Sequence, residues 1–154
     1  MSLSDIRTGL KTKLEAVTAI ENVYDYIFWT DDWNTLLTFF SKDGQPNNWQ
    51  IALANSPAVD RKAEDRTFTW TFNLFGIYAV DTDKESSKTF EGICENILID
   101  FSTSYNILEL TGVKNNMPNI VGIENNVWSN FPVHRGQIEI TFTETVDNSI
   151  LCKG

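Results

Sequence analysis

Histidine, cysteine and positive charge are scarce in this chain. Its 154 residues include one His and two Cys, and 12 Lys and Arg stand against 21 Asp and Glu, a formal net charge of −9. Cys94 and Cys152 are too widely spaced for a CxxC redox pair or a zinc set, so a buried reduced thiol and a tail thiol are expected. With no Asn-x-Ser/Thr sequon present, a cytoplasmic origin fits best. A single histidine leaves one place for Ser–His–acid chemistry, and no Gly-x-Ser-x-Gly elbow accompanies it. No Walker loop, dinucleotide fingerprint or HExxH helix occurs. The basic footprint of a nucleic-acid binder is missing. A surface this acidic repels phosphate, and it also aids solubility. The longest apolar run, over 74–80, falls far short of a membrane span, so no membrane partner is expected. The opening residues lack a basic region followed by an apolar stretch, so no secretory signal is expected.

What is present is a globular composition: 42% hydrophobic, 12% aromatic and 21% charged. One domain over 1–154 is expected, burying roughly 69% of its unfolded surface without disulfide or metal.

Ile6, Leu10, Leu14 and Val17 make one stripe on a helix over 5–19. Ser4 caps it, Asp5 suits its positive end, and Gly9 would let it approach a sheet closely. Residues 23–29 are β-branched and aromatic and read as a first strand. Segments 36–40 and 49–54 flank Asp-Gly and Pro-Asn-Asn, which suggests a hairpin with a longish loop. Trp33, Leu36, Leu37 and Phe40 equally fit a short helix. Residues 55–66 read as a polar loop. The clearest strand is 67–80, where Phe68, Trp70, Phe72 and Leu74 alternate with Thr67, Thr69, Thr71 and Asn73, and Gly76 suggests a bulge or bend. A second helix, over 83–101, opens on a capping box of Thr82 and Glu85. Phe90, Ile93, Cys94, Ile97, Leu98 and Phe101 form its core stripe. Residues 111–119 read as a loop, 120–124 as a short strand, 125–132 as a connection, and 134–146 as holding the last strand. The economical packing is α+β: a mainly antiparallel sheet of four to six strands with two helices on one face.

Candidate chemistry is thin. His134, in Pro-Val-His-Arg-Gly, reads as a partly exposed structural residue in the turn before the last strand. Asp81-x-Asp83-x-Glu85 opens like a calcium loop, but Ser86 stands where its glycine would be and Gly92 where its glutamate would be. Asp31 and Asp32, neighbouring acids in a turn, read as solvated. No catalytic, metal or cofactor residue is expected, and the chain is not read as an enzyme. Surface contacts look more promising. Asp60, Arg61, Lys62, Glu64, Asp65 and Arg66 form a mixed-sign segment: a solvated loop, or a contact in which charge sets register between copies. Trp29, Trp33, Trp49 and Trp128 lie near expected strand ends and loops, as interface tryptophans do. The strand over 67–80 would span roughly 45 Å, beyond the usual length. It therefore bends at Gly76 or projects from the domain. Phe75 and Trp128 complete the interface candidates.

The order of these elements resembles the tail-terminator (tail-completion, minor tail protein) family of long-tailed bacteriophages. Residues 4–24 are similar to its opening helix and first strand. Arg66-Thr67-Phe68-Thr69-Trp70-Thr71-Phe72 is similar to its long central strand, 83–101 to its second helix, and 134–140 to its final strand. The resemblance implies a virion protein, assembled in the bacterial cytoplasm, that forms a ring with itself, typically sixfold. Such a ring caps the tail tube, contacting the tube protein, ends its polymerisation, and offers a docking surface to the head-tail connector. DNA would only pass through the lumen, which a negative surface permits. The same features leave open a head-tail neck connector, or, in another class, a small-ligand-binding or immunity-type α+β module.

Overall fold

A computed structural model describes residues 2–20, 22–26, 41–42, 45–54, 58–62, 65–80, 85–128 and 131–147. Helix α1 (Ser2–Glu15) precedes strands β1 (Val23–Tyr24), β2 (Ser41–Lys42), β3 (Gln45–Leu53), β4 (Ala58–Lys62) and β5 (Asp65–Ala79). Helix α2 (Ser86–Phe101) follows, then β6 (Val113–Asn115), β7 (Asn119–Trp128) and β8 (Phe131–Asp147). Five strands lie side by side in the order β1-β3-β5-β8-β6, while β2 pairs with β3, β4 with β5 and β7 with β8. Only β1 and β3 run parallel. Both helices pack on one face, so the expected α+β architecture is the one observed.

The core lies between helices and sheet. Ile6, Leu10 and Leu14 of α1, Val17 just beyond it, and Phe90, Ile93, Cys94, Ile97 and Phe101 of α2 are buried together. They meet Trp49 and Ile51 of β3, Phe72 and Leu74 of β5, and Ile138, Ile140 and Phe142 of β8. Each such side chain contributes roughly 1.5–3 kcal/mol through burial. Both helical stripes read from the sequence face this core. Burial pushes the Cys94 thiol up to about 12, which keeps it protonated.

Several boundaries differ from expectation. Helix α1 starts at Ser2 and ends at Glu15, and Ala19 already has a φ of 73°. A Cβ on Gly9 would contact Leu108 at 3.4 Å, so the helix approaches the segment after α2 there and not the sheet. Strand β1 stops at Tyr24, and Arg7 Nη1 donates to the Asp25 carbonyl at 2.7 Å. Trp29, Trp33, Asp31, Asp32 and the alternative short helix lie outside the described residues. Strand β3 begins at Gln45, with Lys42 of β2 opposite it, so residues 45–48 of the expected loop are strand, while Asp43 and Gly44 lie outside the described residues. Glu85 is not the third residue of a capped helix but the N-cap itself, with no side-chain capping bond. Thr82, Asp81 and Asp83 lie outside the described residues, as does Cys152.

Three expected loops contain strands. Residues 55–66 hold β4, 111–119 hold β6, and most of 125–132 is β7 running on to Trp128 and β8 starting at Phe131. Strands β4, β6 and β7 each pair with one neighbour among the described residues. A strand with one side in water can carry Asp, Arg, Lys and Asn at any position, which hides its two-residue period.

Gly76 marks no bulge. All of β5 pairs with β8 in continuous register from Asp65↔Asp147 to Ala79↔Val133. Gly76 faces Gly136 across that ladder. A Cβ at Gly76 would lie 2.6 Å from the Trp49 ring, and one at Gly136 would lie 2.9 Å from the Phe90 ring. The two glycines thus admit aromatic rings to the sheet surface. The product is a ribbon of 15 residues on β5, roughly 50 Å long.

Candidate functional site

Side chains alternate between the two faces of a strand, so register assigns each ribbon residue to a face. The helix-bearing face takes Arg66, Phe68, Trp70 and Phe72 of β5, opposite Val146, Glu144, Phe142 and Ile140 of β8. The other face takes Asp65, Thr67, Thr69 and Thr71, opposite Asp147, Thr145, Thr143 and Thr141. The threonines form a cross-strand ladder, with Oγ1–Oγ1 distances of 3.1 Å for Thr71 and Thr141 and 3.4 Å for Thr67 and Thr145. On β4, Val59 pairs with Phe68, which places it with the helix-bearing face.

The end of this ribbon bordered by β4 collects most of the interface candidates. Asp60, Arg61, Lys62, Asp65 and Arg66 sit on β4 and β5, where Arg61 pairs with Arg66 and Lys62 with Asp65. They form a hairpin, not the loop expected, and Glu64 lies outside the described residues. The structure does not bring Phe75 and Trp128 to this place. Phe75 pairs with Gln137 in the half of β5 bordered by β3, and Trp128 pairs with Phe131 at the opposite end of β8. Trp49 is no interface residue: it is fully buried and stacks on Phe90 at 5.9 Å.

The end is stiffened from the helix-bearing side. The Arg66 guanidinium lies over the Phe68 ring at 5.7 Å, and Phe68 stacks on Trp70 at 5.7 Å with planes 2° apart. Beside them Glu144 is only 4% exposed. Arg66 Nε, Trp70 Nε1 and Glu144 Oε2 are buried without a hydrogen-bond partner among the described residues. Reading the sequence did not single out Glu144 or Asp147. The signal for Glu144 was there: it continues the apolar phase of Ile138, Ile140 and Phe142, so alternation alone turns it inward.

A second polar constellation lies at the other end of the ribbon. His134 is not in an exposed turn; it is inside β8 and 5% exposed. Its Nδ1 is 2.6 Å from Asn125 Oδ1, an acceptor, so Nδ1 carries the proton and donates. Nε2 is then free to accept from the Ser86 hydroxyl at 2.9 Å. The ring stacks on Phe90 at 6.1 Å. Burial holds the His134 pKa below its usual value, with Glu91 pulling weakly the other way. Ser, His and Asn in this order have the connectivity of a nucleophile, base and orienting group. Here Ser86 and His134 are 6% and 5% exposed, so an acyl substrate could reach neither as the chain is folded. As folded, the neutral relay fastens that turn to β8 and β7. Among the described residues no group of three or more His, Cys, Asp or Glu is placed to hold a metal ion. No helix among them is long and apolar enough to cross a membrane.

No protein-family model matches the chain, and no curated protein matches it in sequence.

Proposed function

We propose that this chain is a phage or prophage virion protein that caps the tail tube, ends its polymerisation and gives the head a docking surface, working as a ring. The observation that supports this reading is the β5–β8 ribbon. On its two strands the buried core ends at Phe72 and Phe142, with Trp70 at the rim. The strands nonetheless continue to Asp65 and Asp147, with β4 alongside, into an end where Asp65, Val59 and Thr145 are exposed. A self-sufficient domain does not need sheet beyond its core; a subunit that must meet its neighbours does. The helix, long central strand, second helix and last strand also follow one another in the order of the resemblance. In this function the ring seats on the growing end of the tube and leaves no site for the next tube subunit. Its net charge of −9 keeps a lumen from gripping DNA.

The test uses tubes polymerised in vitro from the tail tube protein of the same phage, with and without this protein, and measured by electron microscopy. Shorter, uniform tubes carrying a terminal ring are expected. Tube lengths unchanged at molar excess would overturn the proposal. Attachment only to tails already capped would make the chain a neck connector instead.

A further inference from the structure

We infer that Arg66, Trp70 and Glu144 hold one internal water molecule, which ties β5 to β8 beyond the end of the apolar core. Register brings the three side chains together. Glu144 is directly opposite Phe68 on the helix-bearing face, while Val146 is opposite Arg66 and Phe142 is opposite Trp70. Arg66 and Trp70 are thus the two diagonal neighbours of Glu144, about 7–8 Å away across the ladder and within reach of aromatic and long side chains. Arg66 Nε and Trp70 Nε1 are donors and Glu144 Oε2 is an acceptor, and all three are sealed from solvent with no hydrogen-bond partner among the described residues. The residues directly opposite Glu144 on its two flanking strands cannot help, because Phe68 and Val113 have apolar side chains.

Polar groups that leave bulk water keep a partner, and an internal water with about three hydrogen bonds serves where protein groups supply none. Two donors and one acceptor match that molecule. Its lone pairs accept from Arg66 Nε–H and Trp70 Nε1–H, and one of its O–H groups donates to Glu144 Oε2. Other arrangements leave the set incomplete. A metal cation or an ammonium group accepts no hydrogen bond from the two N–H groups. Chloride accepts from both, but the Glu144 carboxylate repels it and receives no proton from it. A direct Arg66–Glu144 ion pair leaves the Trp70 N–H unmet and draws the guanidinium off the Phe68 ring, over which it lies at 5.7 Å. Because the three atoms are closed to solvent, the smallest of these molecules is also the one admitted with least movement. The water holds Arg66 over Phe68, and Phe68 against Trp70, at the end of the ribbon where most interface candidates lie. This site does not depend on the tail function.

The test is nuclear magnetic resonance on the full chain labelled with nitrogen-15. The five tryptophans give five indole signals, and the one lost in Trp70→Phe belongs to Trp70. In wild type the Trp70 Nε1–H and Arg66 Nε–H protons are expected to show cross-relaxation with water that stays bound for longer than the protein takes to tumble. Oxygen-17 relaxation dispersion counts such waters. Glu144→Leu, which removes the acceptor and fills the space, is expected to lower that count by one and to abolish both cross-peaks. Glu144→Gln keeps an acceptor oxygen and is expected to keep the water. Circular dichroism checks folding; should Glu144→Leu fail, Trp70→Phe, which removes one donor, is expected to shorten the residence time of the water. Wild-type protons that touch no long-lived water, or a count unchanged in folded Glu144→Leu, would overturn the site. So would a direct hydrogen bond from Arg66 Nε to Glu144, detected as a scalar coupling across it.

Discussion

One pair of strands runs through two different environments. From Phe72 to Tyr78, β5 is bordered by β3 and covered by helices, and its helix-bearing face carries Phe72, Leu74, Gly76 and Tyr78. From Asp65 to Thr69 it is bordered by β4, and the same face carries Arg66 and Phe68. Backbone and register are continuous across the boundary. What changes is what borders the ladder: β3 and the helices in one half, and β4 in the other. Sheet geometry can therefore extend a surface outward without a second core, provided flanking strands such as β4 and β6 share the ladder.

The comparison breaks most readily at Phe72. Phe72→Ala removes a fully buried ring from the centre of the covered half, beside Phe142 at 6.0 Å, and is expected to cost about 3–5 kcal/mol. Thr67→Ala, in the half bordered by β4, is expected to cost less than about 1 kcal/mol. Urea denaturation measures both. Equal costs would mean that the two halves are one energetic unit. The next effect belongs to Gly76. In Gly76→Ala the new methyl would lie 2.6 Å from the Trp49 ring, which is itself held between Gly76 and Phe90. A destabilisation of about 1–3 kcal/mol is expected. A neutral result would show that Trp49 has room to move and that the glycine is not there for close approach.

The same boundary divides what could be read from the sequence. The covered half was legible because burial on one face enforces alternation: Phe72 and Leu74 in β5, and Ile138, Ile140 and Phe142 in β8. The stripes of α1 and α2 were legible for the same reason. In the other half β5 was legible too, since Thr67-Phe68-Thr69-Trp70 keep the alternation, but β4 was not. Ala58-Val59-Asp60-Arg61-Lys62 satisfies no apolar period, and its charges look like a loop until β5 is placed beside it. The residues of the candidate contact were found as a run of charge, but their sorting by face depends on register, which single-strand patterns do not contain. Asp147 meets Asp65 across 82 residues of chain. Ser86, Asn125 and His134 come from three elements and share no spacing that a linear motif could reveal.

His134 sharpens the comparison from the covered end. Its pKa is lowered in the fold by burial, from an ordinary value of 6.5. The unfolded chain therefore binds the proton more readily. Above pH 6.5 the contribution of His134 to stability is fully present. As pH falls below 6.5 toward the lowered folded value, that contribution is lost, because the imidazole must then carry charge among Phe90, Ser86 and Asn125. Denaturation midpoints should fall between pH 7 and pH 5, and His134→Gln should flatten that slope while keeping a polar side chain. A slope unchanged in the variant would assign the pH dependence to carboxylates instead.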